Sequence, residues 1–308
     1  MSEVGGKTTR YVGVEVSSKS LTAVCIDENG VLSATDSVAV DFRETSSKQV
    51  AAFIQSLKGK FGPFDIVGVA VPGLVSRDAK SIAFSAHIPE HSGLDLAAEI
   101  EAATGVAAYV ENDANAAAYG EFILGAGRGS RNAFYATLGT GVGGALIIEG
   151  EIWRGVAGFA GEFGYVPINS EGLRLEEVAS SANIIRRTRD RFHQDNTSSL
   201  VEIDENLMTI ADIVGAAIAE DDFAKLMLER TGNYVGTAVA SVINLLNIER
   251  IIVGGEIMQA GNIVLDAIVA RASELSFGPS FDSTVIAAGE LGDNASAAGA
   301  ALLAAKAS

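Results

Sequence analysis

The sequence has little of several things that would each point to a different class of protein. It has one cysteine, Cys25, in 308 residues, which excludes an intrachain disulfide and a cysteine-rich metal site. Its 22 basic residues stand against 39 acidic ones, and the net charge of −17 repels nucleic acid and anionic membranes. No apolar run approaches the roughly 20 residues of a membrane span, and residues 1–10 lack the apolar stretch of a signal peptide. We therefore expect a cytoplasmic protein with neither nucleic-acid nor membrane partners.

The sequence does contain a strand pattern that occurs twice. Short apolar runs at Tyr11–Val16 and Leu21–Asp27 predict a hairpin. A second hairpin is predicted about 120 residues later, from Ala133–Leu138 and Ala145–Ile148 around a glycine loop at residues 139–144. Two similar α/β segments can also arise by chance, and the pattern alone leaves that alternative open.

Each predicted hairpin is followed by helical sequence and then by a strand that runs into glycine. The helices are expected at Ser46–Lys58 and Glu176–Phe192, and the strands at Ile66–Val71 and Arg250–Val253. A repeat of hairpin, helix and parallel strand predicts an α/β protein of two duplicated lobes with a cleft between them.

Glycine is concentrated where a phosphate would need access to the backbone. Four glycines, Gly139, Gly141, Gly143 and Gly144, surround Thr140 between two strands, where backbone N–H groups can face an anion and the threonine adds a hydroxyl donor. The alternative is a hairpin turn that needs glycine only for positive φ. A second pair, Gly254 and Gly255, ends an apolar strand where a nucleotide's flat face can approach, although that pair alone decides nothing.

The junction Glu111-Asn112-Asp113-Ala114-Asn115 joins a predicted strand to the alanine-rich helix Ala114–Leu124. A carboxylate at such a junction sits at an exposed sheet edge, where a general base for a hydroxyl group is often placed. The alternative is that Asn112 or Asp113 simply caps the helix N-terminus. The pentapeptide leaves both interpretations open.

Four blocks in order carry a family resemblance: Glu111–Ala117, Leu138–Gly144, Gly155–Tyr165 and Ile243–Gly255. They resemble the ROK family, the bacterial sugar kinases and sugar-responsive repressors of the actin, hexokinase and chaperone ATPase superfamily. The resemblance implies two duplicated actin/hexokinase-like, or ribonuclease-H-like, lobes. We expect an N-terminal lobe over residues 1–115 and a C-terminal lobe over residues 116–294. The terminal helix, at about residues 295–308, is expected to pack back on the first lobe.

The function that this resemblance implies is that of an ATP-dependent sugar kinase, which transfers the γ-phosphoryl group to a hydroxyl of a hexose or amino sugar. Asp113 would be the general base that takes the hydroxyl proton, and Asn112, Glu162 and Glu176 would hold sugar hydroxyls. The loop at residues 139–144 would hold the phosphates, with Gly254 and Gly255 near the adenosine and Mg²⁺ arriving with ATP. A homodimer or higher homo-oligomer is also expected from the family.

Two departures from the family pattern stand beside these matches. The usual first phosphate motif, Asp-x-Gly-Gly-Thr, is replaced by Glu15-Val16-Ser17-Ser18-Lys19, in which Glu15 would hold magnesium through water and Lys19 would offset phosphate charge. The family's zinc motif is absent, because Tyr165 replaces its histidine and residues 169–174 contain no cysteine. We expect no zinc, and Tyr165 either donates a hydrogen bond to the sugar or fills space.

These departures keep two alternatives open. One is a non-catalytic sugar-binding or sensor protein, without a DNA-binding domain because only ten residues precede the first predicted strand. The other is a kinase that uses polyphosphate or another nucleotide as the phosphoryl donor.

Overall fold

The computed structural model describes residues 10–27, 29–192 and 197–308. These residues fall into two compact units. Unit 1 contains the described residues up to Arg128, together with Arg154–Phe159 and Asp293–Ser308; unit 2 contains Gly129–Trp153 and the described residues of Ala160–Gly292. Most of the polar N-terminal segment, residues 1–9, lies outside the described residues.

Unit 1 is built on a five-stranded mixed sheet in the order β3-β2-β1-β4-β7. Its strands are β1 (Tyr11–Val16), β2 (Ser20–Ile26), β3 (Leu32–Ala39), β4 (Ile66–Val71) and β7 (Ala107–Asn112), with a two-stranded ribbon of β5 (Leu74–Val75) and β6 (Ile82–Phe84). The predicted first hairpin is confirmed, because β1 pairs antiparallel with β2 from Tyr11 to Val16. Strands β1, β4 and β7 run parallel, so their carboxyl ends share one edge of the sheet.

The helices of unit 1 are α1 (Ser46–Phe61), α2 (Leu96–Thr104), α3 (Asp113–Leu124) and α10 (Ala295–Ala307), with a 3₁₀ turn at Pro89–His91. Helix α10 lies directly on the backbones of its neighbours. A Cβ atom added at Gly13 of β1 would lie 1.9 Å from the carbonyl oxygen of Ala297, and one at Gly299 would lie 1.6 Å from that of Ala116 in α3. Glycine is therefore required where α10 meets the sheet and where it meets α3.

Unit 2 repeats the strand arrangement of unit 1. Its sheet has the order β10-β9-β8-β11-β12, in which β8 and β9 form a hairpin and β8, β11 and β12 run parallel. The strands are β8 (Ala133–Leu138), β9 (Val142–Ile148), β10 (Glu151–Ile152), β11 (Arg250–Gly254) and β12 (Val285–Ala288). The shared order confirms the predicted α/β fold with a repeated strand pattern.

Unit 2 carries its helices around a large apolar core to which both the sheet and the long helix α7 contribute. The helices are α4 (Glu176–Ala179), α5 (Ser181–Phe192), α6 (Ile210–Ile218), α7 (Asp222–Leu246), α8 (Asn262–Leu275) and α9 (Gly278–Asp282), with 3₁₀ turns at Phe163–Tyr165, Ser199–Glu202 and Glu256–Ala260. A further 3₁₀ turn, Gly292–Asn294, begins at the last residue of unit 2 and continues into unit 1.

Two predicted element bounds in unit 2 are wrong. Strand β9 begins at Val142, so the glycine loop is three residues long and Gly143 and Gly144 lie within the ladder. Gly144 is glycine for packing, since a Cβ there would lie 2.8 Å from the Cβ of Phe163. The helix predicted over Glu176–Phe192 is broken at Ser180, which is extended, and this break lets the Ser181 N–H donate to the Gly139 carbonyl.

No helix among the described ranges is long and apolar enough to cross a lipid bilayer. The predicted lobe limits, residues 1–115 and 116–294, stay a prediction. Helix α3 passes through residue 115 without interruption, and α10 packs on β1, β4 and α3 of unit 1.

The close approach of α10 to α3 predicts the effect of one added methyl group. Gly299→Ala should lower the free energy of unfolding by at least about 2 kcal/mol, because backbone atoms of α3 cannot make room for the Cβ. Gly59→Ala is the matched control: Gly59 lies in α1 with open space around it, so stability should rise by up to about 1 kcal/mol. Urea unfolding measures both, and a G299A variant as stable as wild type would contradict the packing described for α10.

Candidate functional site

The end of β7 resolves which residue caps helix α3. The side chain of Asn112 is the cap: its Oδ1 accepts a hydrogen bond from the N–H of Asn115 at 3.0 Å. Its Nδ2 donates to the carbonyl of Gly73 at 3.0 Å and to Oδ1 of Asp113 at 2.9 Å. Because Asn112 does the capping, the carboxylate of Asp113 is available for other chemistry.

Asp113 is the first residue of α3 and is partly buried. Its Oδ1 also accepts from the N–H of Ala114 at 2.9 Å. Burial raises the pKa of the Asp113 carboxyl to about 6, and the N–H of Ala114, the charge of His87 and the amide of Asn112 oppose that rise. A carboxyl with this pKa is ionised at neutral pH and still basic enough to accept a proton from a hydroxyl group.

Glu15 is the acidic residue of the first phosphate motif and lies near the same edge of the sheet, in β1. Burial raises its pKa to about 7, the charges of Asp113 and Asp293 add to that rise, and a hydrogen bond with Ser296 opposes it. A half-protonated carboxyl is a poor resident ligand for a cation, which needs the ionised form. The role predicted for Glu15 toward magnesium therefore depends on the cation arriving with its nucleotide.

The loop after Glu15 uses its own backbone donors. The Ser17 Oγ accepts from the N–H of Lys19 at 3.2 Å and from the N–H of Ser20 at 3.0 Å, while the Ser17 N–H donates to the Ser20 carbonyl at 2.9 Å. In this loop only the N–H of Ser18 has no acceptor among the residues that the structure describes. The Lys19 side chain is exposed. The serines thus occupy the N–H groups that a phosphate would need.

The glycine loop of unit 2 spans Gly139–Gly141 and offers fewer donors than the sequence predicts. The N–H of Gly139 donates to the Gly141 carbonyl at 3.0 Å, and the N–H of Val142 donates to Oε2 of Glu176 at 3.0 Å. The N–H groups of Thr140 and Gly141 donate to no residue in the described ranges. These two N–H groups and the Thr140 hydroxyl are the donors left for an anion.

Glu176 connects this loop with the second predicted sugar carboxylate, Glu162. Glu176 accepts the Val142 N–H and approaches Gly164, where an added Cβ would lie 3.3 Å from its Oε2. Burial raises the pKa of Glu162, and the nearby charge of Glu176 adds to the rise. The structure of unit 2 therefore brings Glu162, Glu176 and the glycine loop together, as hydroxyl and phosphate binding would require.

Tyr165, the residue at the zinc-motif histidine position, is exposed and lies under a cation. The guanidinium carbon of Arg174 sits 4.6 Å from the centre of the Tyr165 ring. The segment between them is a small hairpin, closed by the bridge between Pro167 and Arg174 and by the hydrogen bond from Ile168 N–H to Leu173 O. In the described ranges no three His, Cys, Asp or Glu side chains are grouped so as to hold a metal ion.

The two glycines at the end of β11, Gly254 and Gly255, are explained first by packing. A Cβ at Gly254 would lie 2.3 Å from the Tyr135 hydroxyl, and Gly255 has a φ of 94° and would place a Cβ 2.4 Å from the Leu138 carbonyl. The pair therefore lies beside the start of the glycine loop, and its predicted place near an adenosine stays a prediction.

Sequence reasoning missed two further side chains at the glycine loop. Ser181 donates through its Oγ to Oε1 of Glu256 at 2.6 Å, and Glu256 lies within 3.7 Å of a Cβ built at Gly139. Glu256 directly follows the glycine pair in the sequence, which is the signal that could have found it. Sequence reasoning also missed the ion pair between Glu111 and Arg154 beside Asn112. The signal that could have found this ion pair is Glu111 itself, a carboxylate in a buried strand.

The raised pKa of Asp113 has a consequence for stability. A carboxyl whose pKa rises on folding favours the folded state at low pH, and that contribution is lost as the pH rises from about 4 through about 6. Asp113→Asn should therefore raise the free energy of unfolding above pH 7 by at most about 3 kcal/mol and leave it unchanged near pH 4. Urea unfolding of both proteins at both pH values measures the difference. An equal effect of D113N at the two pH values would contradict a raised pKa for Asp113.

Comparison with known proteins places these features in a family. The family model described as the ROK family matches residues 11–307. A glucokinase of Halalkalibacterium halodurans is 35% identical over 66% of this chain and 64% of that protein. The xylose repressor of Bacillus subtilis is 28% identical over 76% of this chain and 59% of the repressor.

A solved structure extends the similarity over nearly the whole chain. The ROK family glucokinase of Streptomyces griseus, in complex with glucose and AMPPNP, has a TM-score of 0.86 at 27% identity and covers 97% of this chain and 100% of its own. The residues that the family model matches include the repeated strand pattern and all the candidate site residues. The chain belongs to the ROK family.

Proposed function

We propose that this protein is an ATP-dependent sugar kinase, a phosphotransferase that moves the γ-phosphoryl group of ATP to a hydroxyl of a hexose or amino sugar. Membership of the ROK family and similarity to two proteins named glucokinase, one of them solved with glucose and AMPPNP, support this proposal. The observation that carries it is Asp113. Asp113 directly follows the end of β7, and the side chain of Asn112, not that of Asp113, caps helix α3. Burial raises the pKa of the Asp113 carboxyl to about 6.

In the proposed reaction Asp113 is the general base. Its ionised carboxylate accepts the proton of the sugar hydroxyl while that oxygen attacks the γ-phosphorus, and the bond from the γ-phosphorus to the bridging oxygen breaks to release ADP. The proton then leaves Asp113 for solvent. The catalytic task is mainly positioning, because a loosely bonded phosphoryl group needs an aligned acceptor more than a strong base.

The sugar is proposed to be held by Asn112, Glu162, Glu176 and Tyr165. Ionised carboxylates accept hydrogen bonds from hydroxyls, and the Tyr165 hydroxyl adds a donor. Asn112 would accept from a sugar hydroxyl at Oδ1, because its two amide hydrogens are donated to Gly73 and Asp113. Since Glu176 already accepts the Val142 N–H through Oε2, its Oε1 is the atom left for a sugar hydroxyl.

The donor phosphates are proposed to bind the N–H groups of Thr140 and Gly141 and the Thr140 hydroxyl. Gly144 contributes by its close packing against Phe163 in β9, the strand that also contains Gly143. The backbone at Gly254 and Gly255 is proposed to lie near the adenosine. Magnesium that arrives with ATP neutralises phosphate charge, and Glu15 would contact it through water. Lys19, which is exposed, would offset the remaining negative charge.

Release of ADP in the presence of candidate sugars tests this proposal. The panel is glucose, mannose, N-acetylglucosamine and N-acetylmannosamine, each with Mg-ATP. We expect turnover with at least one sugar, and a fall of about 100-fold or more in kcat for Asp113→Asn with little change in sugar Kd. Glu162→Gln is the contrasting variant, expected to raise KM more than it lowers kcat. No ADP with any sugar, or full turnover by D113N, would overturn the proposal.

A second candidate function is a non-catalytic sugar-binding or sensor protein, and a specific observation favours it. The Ser17 side chain occupies two N–H groups of the first phosphate loop, which weakens that loop as a phosphate site. Similarity to a protein named xylose repressor adds support. Calorimetric titration separates the two candidates: a kinase binds both sugar and an ATP analogue, and a sensor binds sugar alone.

The donor can be tested in the same assay by replacing ATP with inorganic polyphosphate. Sugar phosphate formed from polyphosphate but not from ATP would assign the alternative donor. The expected homodimer and the cytoplasmic location stay predictions, and light scattering of the purified chain would measure the first.

A further inference from the structure

A buried carboxylate lies one residue before the proposed sugar-binding pair. Glu111, in β7, is 3% exposed. Its Oε1 accepts from the backbone N–H of Asn112 at 3.0 Å and from Nδ2 of Asn115 at 3.1 Å. Glu111 therefore holds both Asn112, whose side chain caps α3, and Asn115, whose N–H donates to that cap.

The other oxygen of Glu111 faces a cation that comes from a distant part of the sequence. Oε2 accepts a hydrogen bond from Nη2 of Arg154, which is 43 residues away. Arg154 also donates to the Tyr109 hydroxyl at 3.4 Å. Burial raises the pKa of Tyr109, the negative charge of Glu111 adds to that rise, and Arg154 opposes it. Arg154 begins the short segment 154–159 that is grouped with unit 1.

The charge of Arg154 decides which orientation the Glu111 side chain adopts. A buried carboxylate that loses its cation turns toward water, because an uncompensated buried charge is costly. That turn would take the acceptor Oε1 away from Asn112 and Asn115. Asn112 and Asn115 would then lose a shared hydrogen-bond partner, and Asn112 in turn holds Oδ1 of Asp113 at 2.9 Å.

We propose that Arg154 is a positioning residue, which keeps the Glu111 side chain oriented so that Glu111 fixes Asn112 and, through it, Asp113. The effect reaches the reacting groups through three consecutive contacts, from Arg154 to Glu111, from Glu111 to Asn112 and from Asn112 to Asp113. The functional part of this inference rests on the proposed sugar binding at Asn112 and Asp113.

A second arginine provides a matched control. Arg77 is exposed and donates through Nη2 to the carbonyl of Gly155 at 2.8 Å, so it holds the same short segment without touching Glu111. Arg77→Met removes the hydrogen bond to Gly155 in the segment 154–159 and keeps the ion pair between Arg154 and Glu111. Arg154→Met removes the ion pair, and its comparison with R77M separates the two effects.

The experiment measures sugar Kd by calorimetry, kcat and KM by ADP release, and backbone hydrogen exchange over residues 107–124. The sugars are glucose, mannose and N-acetylglucosamine. We expect R154M to raise the sugar Kd about tenfold or more and to lower kcat, with faster exchange around residues 112–115. R77M should stay within about twofold of wild type in each.

A double variant tests the mechanism and covers poor folding of R154M. In Arg154→Met with Glu111→Gln, the neutral amide oxygen can still accept from Asn112, so sugar affinity and exchange protection should return most of the way to wild type. In Arg154→Met with Glu111→Ala the acceptor is absent, and both should stay impaired. This contrast distinguishes orientation of Asn112 from simple packing by the Arg154 side chain.

Three results would overturn the proposal: a folded R154M with wild-type Kd and exchange, a Gln double variant no better than the Ala double variant, or equal effects of R154M and R77M.

Failure of the kinase proposal would give different results from failure of the Arg154 proposal. A wild type that binds sugar without forming ADP fails as a kinase, yet its Kd series still tests Arg154. A wild type that binds none of the three sugars removes the functional role, and hydrogen exchange then tests the hold of Arg154 on Asn112.

Discussion

The placement of three carboxylates at one end of the first sheet is the constraint on which the candidate site depends. Glu15, Glu111 and Asp113 belong to strands, or to a helix start, whose ends share one sheet edge. Each meets the cost of burial differently. Glu111 is paired with Arg154, Glu15 has a pKa raised to about 7, and Asp113 keeps a pKa of about 6. Of the two carboxyls with a raised pKa, Asp113 is the one that is mostly ionised at neutral pH.

The packing beneath this edge explains how such a cluster can be held. Helix α10 contacts the backbones of β1, β4 and α3 through glycine, with no side chain between them at Gly13, Gly68 and Gly299. Backbone contact of this kind leaves little room for the strand ends or for α3 to shift. Charged groups at fixed positions lose little of their interaction to reorganisation, which is what a preorganised active site requires.

Local sequence predicted much of the fold and the central part of the site. Alternating apolar residues were enough to predict β1, β2 and β8. The strand-to-helix junction left Asp113 as either a helix cap or a general base, and the family resemblance was needed to favour the base. Glycine counting did less well, because Gly143 and Gly144 lie in the ladder of β9 and not in an open loop, and Gly144 is required there by its packing against Phe163. Contacts between distant residues could not be predicted at all. The Arg154–Glu111 pair joins positions 43 residues apart, and the turn made by the Ser17 hydroxyl depends on a loop conformation that no residue pattern states.

The proposed role of Asp113 as acceptor of the sugar hydroxyl proton predicts a specific pH dependence of kcat/KM for the sugar. With a carboxyl pKa of about 6, kcat/KM should fall about tenfold for each pH unit well below 6. Glu15 titrates nearby, so the Glu15→Gln variant is measured beside wild type and should keep the acid limb. A value of kcat/KM that stays level from pH 7.5 down to pH 5, or an acid limb that disappears in E15Q, would contradict the account.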